Sequence, residues 1–149
     1  MLWAVALGAI LPACSGMSKP ASCAVTRPMG TASGEQRLNY GSGPLRVALW
    51  PRGKLVAGRL PDGSSYAEVK PDGSIEAKLA WWRTTSGRLS IEGERLDARG
   101  SPLRADIPDG YGDIGFQPAG LLFPTAGCWR VVGSVAETRL AFVVLVTKR

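Results

Sequence analysis

The sequence predicts an all-β domain, a two-sheet antiparallel sandwich, preceded by a signal helix and a flexible tether. Three observations predict it. From Pro44 onward, short runs alternate apolar and polar residues with a period of two, as half-buried strands do. The same turn chemistry, Pro61-Asp62-Gly63-Ser64 and Pro71-Asp72-Gly73-Ser74, appears twice ten residues apart, the spacing of a meander. Beyond the first few residues no stretch sustains a helical period.

The leader comes first. Residues 2–11 carry no charge and are almost wholly apolar. They fall far short of the roughly 20 residues that a permanent membrane helix needs, but they suit the core of a signal peptide. They run into Leu11-Pro12-Ala13-Cys14-Ser15-Gly16, which has the form of a bacterial lipobox: an apolar residue three before the cysteine, a small one just before it, small polar ones after. Cys14 is therefore the expected lipidation site, with residues 1–13 removed. A thioether lipid plus an acylated amine gives the multi-chain anchoring that holds a protein stably on a membrane. A plain secretory peptide cut near Ala13 and a buried apolar segment of a cytosolic domain are the competing readings. No Lys or Arg precedes the run, so the true start is expected upstream of Met1.

Residues 14–43 are rich in Ser, Gly, Pro and Ala and read as a tether whose latter half lies against the domain. The domain itself is expected over 44–149. Leu45, Val47 and Leu49 alternate with Arg46 and Ala48 in a first strand that stops at Trp50-Pro51-Arg52-Gly53, and residues 54–60 follow as its expected hairpin partner. Residues 65–70 form a short strand between the two Pro-Asp-Gly-Ser turns. Ile75, Ala77, Leu79 and Trp81 then share one face against Glu76 and Lys78. Leu89 and Ile91 repeat the pattern, as do Leu103, Ala105 and Ile107. A Gly-rich loop is expected over 108–120, then a strand from Leu121. The final pair, 128–135 and 138–147, turns at Ala136-Glu137. Its last strand is apolar on both faces and is expected to be central or covered on both sides.

Composition narrows the function classes. The 18 basic and 12 acidic residues give a net charge of +6, and none lies in residues 1–13. Such a surface, with a pI near 9.7, attracts anionic headgroups, wall polymers or acidic partners in a salt-dependent way. The cations are scattered singly, so no specific nucleic-acid partner is expected. The chain has no histidine, which removes the commonest metal ligand, the commonest general base and every Ser-His or Cys-His pair. No cofactor is expected.

The three cysteines sort themselves. With Cys14 lipidated, Cys23 and Cys128 remain, and in an oxidising compartment they can form one disulfide. Trp129, Val131 and Val135 face one way, so Cys128 faces the other. If Trp129 is the core residue, Cys128 points outward, where a passing segment carrying Cys23 can be pinned to the sheet. Two free thiols are the alternative.

Candidate chemistry is sparse. Asp106, Asp109 and Asp113 with their glycines can gather oxygen ligands around calcium, although Pro-Asp-Gly is also ordinary turn chemistry. Asp106 with Asp113, or Glu92 with Glu94, is the pair available to a carboxylate-dependent hydrolase. Trp50 and Trp82 fall on the face opposite the core, and a strand bulge would exchange Trp81 for Trp82. Exposed tryptophans on a sheet stack on sugar rings or anchor an interface; otherwise they cover a sheet edge or pack under a loop. Trp50, Trp81 and Trp82 are the candidate ligand-binding residues.

The run Trp81-Trp82-Arg83, the segment from Gly87 to Asp97, Leu103-Arg104-Ala105-Asp106-Ile107-Pro108-Asp109-Gly110-Tyr111-Gly112, Gly115-Phe116-Gln117 and Phe123-Pro124-Thr125-Ala126-Gly127-Cys128-Trp129 together resemble uncharacterised exported proteins and lipoproteins of bacteria. Cys23-Ala24-Val25-Thr26 resembles the start of that unit. The Pro-x-x-Gly-Cys-Trp corner is similar to immunoglobulin-like modules. The resemblance implies an immunoglobulin-like sandwich at the cell envelope and carries no activity with it. The expectation is a non-enzymatic, lipid-anchored binding module whose partner is an envelope protein or an anionic wall polymer. A carbohydrate-binding module and an envelope hydrolase are the alternatives.

Overall fold

The computed structural model describes residues 22–29 and 38–149. The leader, Cys14 and the first part of the tether lie outside them. The described chain is all-β, ten strands in two sheets: β1 (Tyr40–Ser42), β2 (Leu45–Val47), β3 (Lys54–Ala57), β4 (Ala67–Val69), β5 (Ile75–Arg83), β6 (Ser90–Arg95), β7 (Arg104–Asp106), β8 (Gly115–Phe123), β9 (Gly127–Val135) and β10 (Thr138–Lys148). One sheet has the order β1-β2-β5-β8-β7, with β4 also on β5; the other is β3-β10-β9-β6. The orders β2-β5-β8-β7 and β10-β9-β6 are those of the ABED and GFC sheets of immunoglobulin domains. The sandwich is immunoglobulin-like.

Local chemistry explains the turns. In each Pro-Asp-Gly-Ser turn the glycine N–H closes back on the carbonyl before the proline, Gly63 on Leu60 and Gly73 on Lys70, both at 2.9 Å. The aspartate accepts from the backbone N–H and the hydroxyl of the following serine, at 2.9 and 2.6 Å for Asp62 and at 2.9 and 2.5 Å for Asp72. Gly63 and Gly73 take φ of 84° and 85°, the left-handed corner that glycine occupies without strain. The second turn closes the β4–β5 hairpin.

Three expectations change. Residues 54–60 are not the hairpin partner of the first strand. The 3₁₀ turn Pro51–Gly53 carries the chain to the other sheet, where β3 pairs in parallel with β10. The loop expected over 108–120 is also shorter, because β8 begins at Gly115 and runs through Pro118. Pro118 is tolerated because β7 pairs only as far as Gly120, so that side of the strand has no partner there. The Pro118 carbonyl on the vacated side accepts from the Gln117 amide at 3.1 Å. Ala105, finally, is exposed on the edge strand β7 rather than in the core.

The core lies between the sheets. Trp81 and Trp129 are its largest fully buried side chains, with Phe123 and Phe142. Phe123 meets Trp129 edge-on at 5.5 Å, and Trp81 tilts against Phe142 at 6.2 Å. The Trp129 indole N–H donates to the Thr125 carbonyl at 3.0 Å, as a tyrosine hydroxyl does at the corner of immunoglobulin domains. In those domains a disulfide joins the B and F strands. Here Trp81 of β5 sits on Gly133 of β9, where any Cβ would overlap the indole.

The N-terminal segment belongs to the fold, which extends the domain below residue 44. The Thr26 N–H donates to the Val143 carbonyl at 2.8 Å, and the Val143 N–H returns to the Thr26 hydroxyl at 2.9 Å. Cys23 and Cys128 form a disulfide. Cys128 projects from the face of β9 opposite Trp129, as the alternation requires, and the segment laid over it leaves it 3 % exposed. That segment also bonds β10 at Val143, just before β3 pairs with it from Leu145, and β10 is flanked by β3 and β9.

Candidate functional site

A cleft of about 820 Å³ opens where two strands share one edge of β5. β2 pairs with Trp81–Arg83 and β4 with residues 75–77, so on this edge Lys78, Leu79 and Ala80 lie between them with a single backbone bond among the described residues, Ala48 N–H to Ala80 carbonyl. The chain leaves the sheet in this gap. Asn39 holds the departing strand, its side-chain amide donating to the Leu49 carbonyl at 3.0 Å and its side-chain oxygen accepting from the Leu49 N–H at 2.8 Å. This side chain stands in for a missing strand partner.

Three elements wall the cleft. Pro51 and Arg52 come from the crossing turn, Arg27 and Pro28 from the N-terminal segment, and Tyr66 from the approach to β4. Arg52 is left-handed, φ 58° and ψ 19°, a conformation that costs a non-glycine residue about 1–2 kcal/mol. Gly53 beneath it is left-handed and buried, because the Thr26 carbonyl occupies the place of its Cβ. The turn and the N-terminal segment therefore fix each other. Arg27, Arg52 and Lys78 line the cleft, and no carboxylate does so among the described residues. None of the three is ion-paired with a described residue. Three cations around one cleft give it a positive potential.

The three candidate tryptophans separate. Trp82 is 40 % exposed on the outer face of β5, next to Arg46 of β2 and Phe116 of β8. Trp81 is fully buried and unavailable to a ligand. Trp50, expected on the outer face, is only 5 % exposed. It sits at the sheet-to-sheet crossing, where the strand alternation has ended, and packs edge-on against Phe123 at 6.4 Å. It backs the cleft rather than presenting a ring face.

The carboxylates do not converge. Among the described residues no group of three His, Cys, Asp or Glu side chains is placed to hold a metal ion, so Asp106, Asp109 and Asp113 make no calcium cage. Asp106 borders a groove with Lys70, Glu76 and Arg104, whereas Asp109 and Asp113 border a different one at the end of the sandwich. The proline-kinked loop separates them. Glu92 and Glu94 stand side by side on the solvent face of β6, with Glu94 facing Arg130 at 3.5 Å.

Sequence reading missed Arg83. It occupies an inward position of β5, only 2 % exposed. Its guanidinium donates to the Gly87 carbonyl at 2.9 Å and the Gly112 carbonyl at 2.8 Å, tying two loops together at the end of the sandwich. Nε has no partner. An arginine after two tryptophans reads locally as a strand-end surface residue, and only the loop that folds over it reveals its role.

No protein-family model, no curated protein and no solved structure matches the chain, so its function is read from its own residues.

Proposed function

We propose that this chain is an exported, lipid-anchored module of a bacterial cell envelope, and that it holds an anionic partner in the cleft without transforming it. The observation that carries the binding reading is the cleft itself: Arg27, Arg52 and Lys78 around an opening of about 820 Å³, with Tyr66 at its rim. That volume is in the range of small-ligand sites, roughly 300–1,000 Å³. The leader ending at Cys14 and the resemblance to exported bacterial lipoproteins support the address. The Cys23–Cys128 disulfide suits an oxidising compartment. Carboxylates that open onto separate grooves favour holding over hydrolysis.

Two measurements test this. Intact mass of the chain recovered from a bacterial membrane should show lipid on Cys14, and Cys14→Ser should move the protein to the soluble fraction. An unlipidated wild type would end the anchor reading. Acetate and inorganic phosphate, titrated into the full chain, should shift the backbone amides of Arg52, Tyr66 and Lys78, and added salt should reverse the shifts. Equal shifts at remote cations such as Arg99 and Arg139 would end the binding reading.

A further inference from the structure

We infer that the partner is a linear glycan built from carboxylate-bearing sugars, lying along the outer face of the β2-β5-β8 sheet from Trp82 into the cleft. This rests on the reading above that the cleft takes an anion. On β5 the outward side chains are Glu76, Lys78, Ala80 and Trp82. Trp82 and Lys78 are four residues apart on one face, about 13 Å at the strand rise of about 3.3 Å per residue. Between them the floor is Ala48, Ala80 and Pro118 side by side. The cleft and the exposed tryptophan are thus two ends of one smooth strip.

The chemistry of the strip selects the occupant. At one end Trp82 and Phe116 are cross-strand neighbours, 40 % and 45 % exposed, and Tyr111 meets Phe116 edge-on at 5.9 Å. Exposed aromatic side chains on a sheet suit the apolar faces of sugar rings. Cations follow the strip: Arg46 directly beside Trp82, then Lys78, then Arg52 and Arg27 across the cleft. Guanidinium groups grip carboxylates in a bidentate fork, and spaced cations match a polymer with one carboxylate per unit. Beyond Lys78 the face turns acidic at Glu76 and Glu68, which oppose each other across β4 and β5. Glu76 is paired with Lys70. With Glu76 neutralised by Lys70, Glu68 is left to discourage a polyanion that continued straight on, whereas the cleft offers Arg52 and Arg27. A polyphosphate satisfies the cations but leaves the aromatic end unused, and an acidic peptide gains little from a floor without side-chain pockets.

The test uses the full chain with its disulfide intact and an oligogalacturonate as the probe, followed by intrinsic tryptophan fluorescence and calorimetry at low salt. Neutral dextran, inorganic polyphosphate and polyglutamate serve as comparison probes. The expected result is saturable oligogalacturonate binding, perturbed tryptophan emission and no binding of dextran. Lys78→Gln and Arg52→Gln should each weaken it about tenfold. Trp82→Ala, at an exposed site, should weaken it up to about tenfold while leaving polyphosphate binding unchanged. Phe116→Ala should act in the same direction. Unchanged oligogalacturonate affinity in Trp82→Ala, or tighter binding of polyphosphate or polyglutamate, overturns the glycan. The glycan also falls if oligogalacturonate fails to bind while acetate and phosphate still mark the cleft, and the anion-holding reading then stands alone. If the small anions fail as well, both fall.

Discussion

Replacing Gly133 with alanine puts one methyl group where the Trp81 indole already lies. A Cβ at 133 would sit 3.1 Å from Cζ2 and closer still to Cη2 and Cζ3. The ring has nowhere to retreat, because it is fully buried and Phe142 stands against it with ring centroids 6.2 Å apart. Gly133 is held as firmly, paired to Leu140 of β10 on one side and Ile91 of β6 on the other. Overpacking of this kind costs typically 1–3 kcal/mol, and the reduced freedom of the unfolded chain returns only about 0.4–1 kcal/mol. With two rigid neighbours the upper half of the range applies, for a net loss of about 2 kcal/mol. In a domain of this size that lowers the melting temperature by roughly 8 °C. Urea unfolding should show a lower midpoint at unchanged slope. Trp81→Phe removes the outer ring that collides, along with an indole N–H that has no partner among the described residues. It is destabilising alone, yet in Gly133→Ala/Trp81→Phe the two losses should fall short of their sum by at least about 1 kcal/mol. A Gly133→Ala variant within about 0.5 kcal/mol of wild type, or strict additivity in the cycle, would refute the claim that Trp81 on Gly133 joins the two sheets.

Cys23→Ser/Cys128→Ser opens a link spanning 105 residues and should cost up to about 4–5 kcal/mol in the chain-entropy model. A loss below about 1 kcal/mol in chemical denaturation would mean that the N-terminal segment is held by its hydrogen bonds alone. Arg83→Lys should destabilise nearly as much as Arg83→Met, because a single ammonium cannot reach both the Gly87 and the Gly112 carbonyls. Faster amide exchange over residues 84–88 and 110–113 is the readout, and rescue by lysine would contradict it. The Asp97 carboxyl is held below its ordinary value chiefly by its hydrogen bond to Arg95 at 2.7 Å. A depressed carboxylate contributes stability above its unfolded value, about 3.9, that is lost as pH falls through its folded value. The stability gap between wild type and Asp97→Asn should therefore be level above about pH 5 and close below about pH 4. A gap that widened on acidification would reverse the assignment.

Much of this fold was legible one segment at a time. The two Pro-Asp-Gly-Ser turns carry all their partners within five residues, so their chemistry could be read before any strand was paired. The alternation in Gly127–Val135 put Trp129 and Cys128 on opposite faces, and with Cys14 set aside for a lipid the count made Cys23 the expected partner; the fold buries Trp129 in the core and forms the bridge. The candidate site was less legible. Trp82 was correctly placed on an outer face and Trp50 was not, because a period-two pattern holds only while the chain stays in one sheet.

The sequence by itself determined the all-β class, the turns and most strand faces, since each depends on residues close in the chain, and it left the cysteine pairing as one of two alternatives that the fold then settled. Only the tertiary structure decided that β3 crosses to pair in parallel with β10, that Arg83 ties two loops, and that Lys78, Arg52, Arg27 and Tyr66 meet around one cleft. The physical reason is that alternation tells a side chain which face it takes but not which sheet its strand will join. The cleft exists because β2 and β4 share one edge of β5 and leave a gap between them, a property of strand pairing that no single segment encodes.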